Sequence, residues 1–150
     1  MALKQRIDDD LKAALLGGDR FGAQTLRGLK AAVLNEEVAL GRREEGLNDD
    51  EVEKIIAKEV KKRNESIALY EQNDRPELAE DEKKEAAILS VYLPQQIAED
   101  ELKEIIAAKV ADFGVSGPQA MGQVIGAVKA QVGNTADGAT VARLVKEALN

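Results

Sequence analysis

The sequence predicts an all-α protein in two parts. Apolar residues return at every third or fourth position along most of the chain, and nothing alternates in the manner of a strand. Apolar residues make up 44%, mostly Ala, Leu, Val and Ile, against 3% aromatics, which suits aliphatic helix seams better than a sheet. With 150 residues the chain can bury one core, or one core and a satellite, and no fixed-period repeat points to a solenoid.

Leu3, Ile7, Leu11 and Leu15, with Ala14, place an amphipathic helix over the first 16 residues, ended by Gly17 and Gly18. Asp19 is the expected cap of a second helix. Leu26, Leu29, Val33 and further on Leu40 line one side of it, Leu34 and Val38 adjoin, and Gly41 closes it. After a charged loop from Arg42 to Gly46, Asn48 and Glu51 stand at capping-box spacing, with Leu47 and Val52 placed as a hydrophobic staple. The third helix runs through Val52, Ile55, Ile56, Val60, Ile67 and Tyr70 to about Asn73, roughly six turns. Asp74-Arg75-Pro76-Glu77 marks a turn and a restart. A fourth helix with Leu78, Glu82, Glu85, Leu89 and Tyr92 then runs to the stop at Pro94.

Charge density falls at that proline. Residues 1–94 hold 16 basic and 21 acidic side chains and residues 95–150 hold 5 and 7, so the domain boundary is placed there, giving parts 1–94 and 95–150. Three shorter helices are expected in the second part: Glu99–Ala111, Pro118–Val132 and Asp137–Leu149, separated by glycines. Ala98 is a poor cap for the first of these, by ~1 kcal/mol relative to a hydroxyl or Asx side chain.

Cysteine and histidine are both absent. That removes disulfides, the usual zinc ligands, the common general base near neutral pH and the Ser-His-Asp and Cys-His nucleophiles. No phosphate-gripping Gly-Lys-Ser/Thr loop and no amidase-type Gly/Ser-rich signature occurs. No cofactor, no metal and no catalytic residue is therefore expected. The N-terminal residues Met1 to Asp10 lack the apolar run of a secretory signal, and the most apolar stretch, Ala86 to Leu93, is far short of the roughly 20 residues of a membrane span. These features lead to the expectation of a soluble, cytoplasmic protein with no membrane partner. A net charge of −7 argues against broad coating of nucleic acid and against DNA as a partner, while leaving room for a local basic face.

Several stretches, in order, carry a family resemblance: Thr25-Leu26-Arg27; Lys58-Glu59-Val60-Lys61-Lys62-Arg63-Asn64-Glu65-Ser66 followed by Tyr70; Leu78 through Glu85 to Tyr92-Leu93-Pro94, then Glu101-Leu102; Met121-Gly122-Gln123-Val124; Asp137-Gly138; and Val145-Lys146. Together they make the whole chain resemble the GatB/YqeY family, and in particular its free-standing YqeY-like members. The resemblance implies four N-terminal helices and a three-helix tail. It also implies kinship with the module that helps hold tRNA in the GatB subunit of the tRNA-dependent amidotransferase, and hence a family label of carbon–nitrogen ligase with glutamine as amido donor. Ala120, where the family commonly has an acidic residue, and Asn134-Thr135-Ala136, in place of a shorter basic segment, depart from the pattern and weigh on the RNA contacts of the tail.

Among the residues, Lys54, Lys58, Lys61 and Lys62 share one side of the third helix, with Arg63 beside them, and form the best candidate phosphate-contacting face. The competing reading is a solvated face whose lysines pair with Glu51, Glu65 and their neighbours. Lys129, Arg143 and Lys146 flank the Gly133–Gly138 segment, where the start of the last helix offers free N–H groups; the plainer reading is a turn capped by Asp137. Tyr70 and Tyr92 are expected in the core, which disfavours recognition of unpaired bases. Arg27, at the edge of an apolar stripe, is expected to reach Glu59 or Glu85 across helices and to order the bundle. Asp112-Phe113-Gly114 spells a kinase tripeptide but reads as a helix end, and Asp8-Asp9-Asp10 and Asp49-Asp50-Glu51 read as helix-start chemistry rather than as a metal site. The expected function is that of a non-enzymatic RNA-binding accessory module, with tRNA the expected RNA. A protein–protein adaptor and an accessory to glutamine-dependent amidation of tRNA-bound substrates are the alternatives.

Overall fold

The structure, a computed structural model, describes residues 2–150; Met1, the head of the expected first helix, lies outside the described residues. It is all-α, with seven α-helices among the described residues: α1 Leu3–Leu16, α2 Arg20–Ala39, α3 Asp49–Gln72, α4 Pro76–Ser90, α5 Glu99–Phe113, α6 Met121–Val132 and α7 Gly138–Leu149, with short 3-10 turns at Pro118–Ala120 and Gly133–Thr135. None of these helices is long and apolar enough to cross a membrane. The chain divides into two compact units, Met1–Leu93 and Pro94–Asn150.

In the N-terminal unit α1 packs on α2, and α3 and α4 form a helical hairpin that α2 contacts. Ile7, Leu26, Leu29, Val33, Val52, Ile56, Leu89 and Tyr92 build its core. The start of α3 is set as its sequence requires: Asn48 Oδ1 accepts from the Glu51 N–H at 2.9 Å, the Glu51 carboxylate accepts from the Asn48 N–H at 3.2 Å, and Leu47 and Val52 are both buried in the core. Tyr92 is closed down from its far side, its hydroxyl donating to Asp10 Oδ2 at 2.5 Å and its ring lying 5.3 Å below the Arg6 guanidinium. Burial, reinforced by the Asp10 carboxylate, drives the Tyr92 phenol above its ordinary pKa.

Three expectations for this unit give way to tertiary context. Leu34, Val38 and Leu40 are 41%, 59% and 49% exposed, and the buried stripe of α2 continues from Val33 into Glu37, 4% exposed. Leu78 is exposed, and α4 turns Ala79 and Ala86 inward instead, because small side chains let α3 and α4 approach closely. Asp8-Asp9-Asp10 lie beyond the first turn of α1 and are held by Lys30, Gln5 and Tyr92 respectively.

The first three helices end alike. In each, the residue three past the last helical one donates back across the final turn: Asp19 N–H to Ala14 O at 2.9 Å, Arg42 N–H to Glu37 O at 2.8 Å and Arg75 N–H to Tyr70 O at 2.8 Å. The residue before each donor is left-handed: Gly18 at φ 75°, Gly41 at φ 67°, but Asp74 at φ 58°. Asp74→Gly relieves a backbone strain of ~1–2 kcal/mol and loosens the unfolded chain by ~0.4–1 kcal/mol. A net gain of about 0.5 kcal/mol is expected in urea unfolding, with Asp74→Val moving the midpoint the other way.

The C-terminal unit is a three-helix bundle in which each of α5, α6 and α7 touches the other two, around Leu102, Ile106, Val124, Val128, Val141, Leu144 and Val145. Gly114, at φ 61°, ends α5, so Asp112-Phe113-Gly114 is a helix terminus. The start of α5 has no side-chain cap, and it is positioned by packing and by the Ile97 N–H donating to Thr135 O at 2.8 Å. Asp137 caps α7 by accepting from the Thr140 N–H at 3.1 Å.

Candidate functional site

Along α3 a repeat of four residues is slightly more than one helical turn, so Lys54, Lys58 and Lys62 stand in a row ~12 Å long. All three line a groove of about 410 Å³ between α2 and α3, whose other wall includes Ala32, Glu36 and Leu40 and whose base includes Leu47 and Ile55. Glu51 and Glu59 also face this groove, and two arginines occupy them. Arg42, on the α2–α3 loop, grips Glu51 with both terminal nitrogens, at 2.5 Å and 3.0 Å, and also pairs with Glu45. Arg63 donates to Glu59 at 3.0 Å and to Glu85 of α4 at 2.9 Å. Burial alone would lower the Arg63 pKa, but the bonds to Glu59 and Glu85 outweigh it and raise it; the Arg42 bond holds the Glu51 carboxyl below the usual carboxylate range.

The lysines are more loosely engaged. Lys54 pairs with Asp50 at 3.1 Å, both well exposed, and Lys62 lies 3.6 Å from Glu59, beyond hydrogen-bonding distance. Lys58 and Lys61 are exposed and, among the described residues, carry no ion pair. Exposed pairs of this kind are worth ~0–1 kcal/mol, so the ammonium groups can be recruited by another anion at little cost.

Arg63 is therefore not a free member of the basic face. Its side chain is 19% exposed and joins α3 to α4, and it takes the two carboxylates expected for Arg27; Arg27 is exposed on α2 and makes no such bridge. The clamp of Arg42 on Glu51 was not singled out from sequence, although Arg42 stands nine residues before Glu51 beside a recognisable capping box. In the C-terminal unit, Arg143 is engaged with Glu99 at 2.6 Å and Glu147 at 3.3 Å. Lys146 is exposed in the last turn of α7, and Lys129 lies over the start of that helix, its Nζ 3.6 Å from where a Cβ of Gly138 would stand. No group of His, Cys, Asp and Glu able to hold a metal ion occurs among the described residues. Asp49, two residues before Glu51, accepts from the Leu3 N–H at 3.0 Å and so ties α1 to the head of α3.

Comparison with known proteins finds relatives of this chain. The chain is 30% identical to the mitochondrial protein "Altered inheritance of mitochondria protein 41" of Clavispora lusitaniae over 69% of its own length and 59% of that protein's. It is 34% identical to the protein of the same name from Kluyveromyces lactis over 61% and 46%, and 31% identical to that from Lachancea thermotolerans over 69% and 54%. The chain thus spans about half the length of the curated relatives it matches. The mitochondrial designation of all three overturns the cytoplasmic placement expected from sequence. The physical reason is that an apolar leader is the mark of secretion, whereas mitochondrial targeting segments are amphipathic and Arg- and Ser-rich, so lack of the former does not assign a compartment. The family model described as Yqey-like protein matches residues 4–149, and the chain belongs to that family.

Proposed function

We propose that the chain is an RNA-binding accessory module, with tRNA as the RNA, and that it acts by holding its ligand rather than by transforming it. One observation carries the reading: Lys54, Lys58 and Lys62 line the α2/α3 groove in a row while Arg42 and Arg63 engage the carboxylates beside them, leaving the lysine charges to act outward. Lys61 adds a fourth ammonium group on the same side of α3. Amino-acid chemistry supports holding over catalysis, since neither imidazole nor thiol is available to move a proton or attack a carbon.

The measurement is fluorescence anisotropy with labelled total tRNA across a salt series. Three to four lysine–phosphate contacts give a slope of log K against log salt of about −3, so affinity is expected to fall roughly fiftyfold between 50 and 200 mM salt. A flat response, or no binding at the lowest salt, refutes the reading.

A protein–protein adaptor is supported by a separate observation. Leu34 and Val38 stand 41% and 59% exposed on α2, beside a depression of about 360 Å³ shared with α1. In that case a partner should be recovered at equal stoichiometry from ribonuclease-treated lysate.

A further inference from the structure

The α2/α3 groove differs from a site for unpaired nucleotides in what lines it. Binding a single strand ordinarily needs flat groups on which bases stack, each worth ~1–3 kcal/mol, to offset the cost of ordering a flexible chain. Among the described residues, no aromatic side chain lines this groove. Tyr92 is buried in the core with its hydroxyl on Asp10, and Tyr70 is half-buried on α3. Guanidinium planes can replace aromatics or read guanine edges, but Arg42 and Arg63 are both spent on carboxylates. What remains is lysine, a point charge on a flexible stem that recognises phosphate without recognising a base.

The carboxylates sharpen the point. Glu51 and Glu59 are taken by Arg42 and Arg63, Glu36 adds a negative charge on the opposite wall, and the base holds apolar Leu47 and Ile55, so a phosphate finds no partner inside the groove and meets only the exposed tips of Lys54, Lys58 and Lys62. A ligand held by tips alone has to bring its phosphates already arranged. Double-helical RNA does so, with a backbone fixed by pairing and a wide, shallow minor groove against which a straight helix can lie.

We infer that the lysine row of α3 recognises the backbone of double-helical RNA without regard to base sequence. This rests on the RNA-binding reading above and goes beyond it by naming the ligand class. Any stem is expected to serve, whether from tRNA or not.

The test uses the full chain and four labelled probes at low salt: total tRNA, two hairpins of unrelated stem sequence, and an unstructured single strand matching the hairpins in length. The two hairpins are expected to bind within about threefold of each other and at least tenfold more tightly than the single strand. Single-strand binding equal to or tighter than that of the hairpins overturns the inference while leaving RNA binding in place, as does a tenfold difference between the two hairpins. Failure of all four probes overturns the RNA-binding reading itself and the inference with it.

Discussion

Replacing Glu37 by alanine is expected to destabilise the N-terminal unit by about 2–3 kcal/mol, a large loss for a side chain that looks like one more surface acid. Glu37 sits in the last turns of α2, and its Oε2 accepts from Lys4 Nζ of α1 at 2.7 Å and from the buried Leu47 N–H at 2.9 Å. Removal leaves that N–H without a partner in a place water does not reach, a penalty of ~1–3 kcal/mol, and also loses a charge-assisted bond between helices. The Gly46 backbone packs so closely on the Glu37 and Lys4 tips that a Cβ there would lie 3.1 Å from each, so the turn carrying Arg42 is moulded to this pair. Glu37→Gln should lose less, since the amide oxygen still accepts from Leu47.

The same pair gives a pH signature. The bond from Lys4, then that from Leu47, holds the folded-state pKa of Glu37 below the ordinary carboxylate value. A group lowered in the folded state stabilises fully above its unfolded pKa and loses that contribution as pH falls through the lowered value. Urea unfolding should therefore show the gap between wild type and Glu37→Gln narrowing on acidification. A gap that is constant with pH, or a Glu37→Ala loss under 0.5 kcal/mol, would remove Glu37 from this role.

How much of this was legible in the sequence follows from how local each cause is. The capping box at Asn48 and Glu51, the glycine at the end of α5 and the stop before Pro94 depend on residues a few positions apart, and the helices begin and end accordingly. Glu37 depends on Lys4, 33 residues away, and a hydrophobicity stripe passes over a carboxylate in favour of Leu40, which is half exposed. Arg63 against Arg27 is the same lesson. The bond to Glu59 is an i,i+4 pair that spacing allows, but the bond to Glu85 needs the α3–α4 hairpin, and without it the two carboxylates were expected for Arg27 and Arg63 was expected on the basic face. The lysine row was visible from its spacing. The groove beside it was not, because the wall supplied by α2 is brought opposite α3 only by the intervening loop, and that loop is held by Glu37 and Arg42.

Reversing two charges in that row, Lys58→Glu with Lys62→Glu, is expected to weaken tRNA binding at least tenfold, about 1.4 kcal/mol, and to reduce the salt slope by about 2. Both side chains are exposed, and the only ion-pair neighbour of either among the described residues is Glu59 at 3.6 Å from Lys62, so stability should stay within about 0.5 kcal/mol of wild type. A general increase in negative charge could weaken binding to any polyanion, and Lys83→Glu with Lys84→Glu supplies the control. It changes the net charge equally, on α4, where Lys83 pairs with Glu71 at 3.0 Å and neither lysine lines the groove. If the row itself meets phosphate, the α4 variant should lose less than threefold, since exposed charges separated by more than the Debye length of ~10 Å at 0.1 M salt are largely screened from one another. Equal losses in the two variants would mean that the protein's overall charge, and not the side chains lining the α2/α3 groove, governs the interaction.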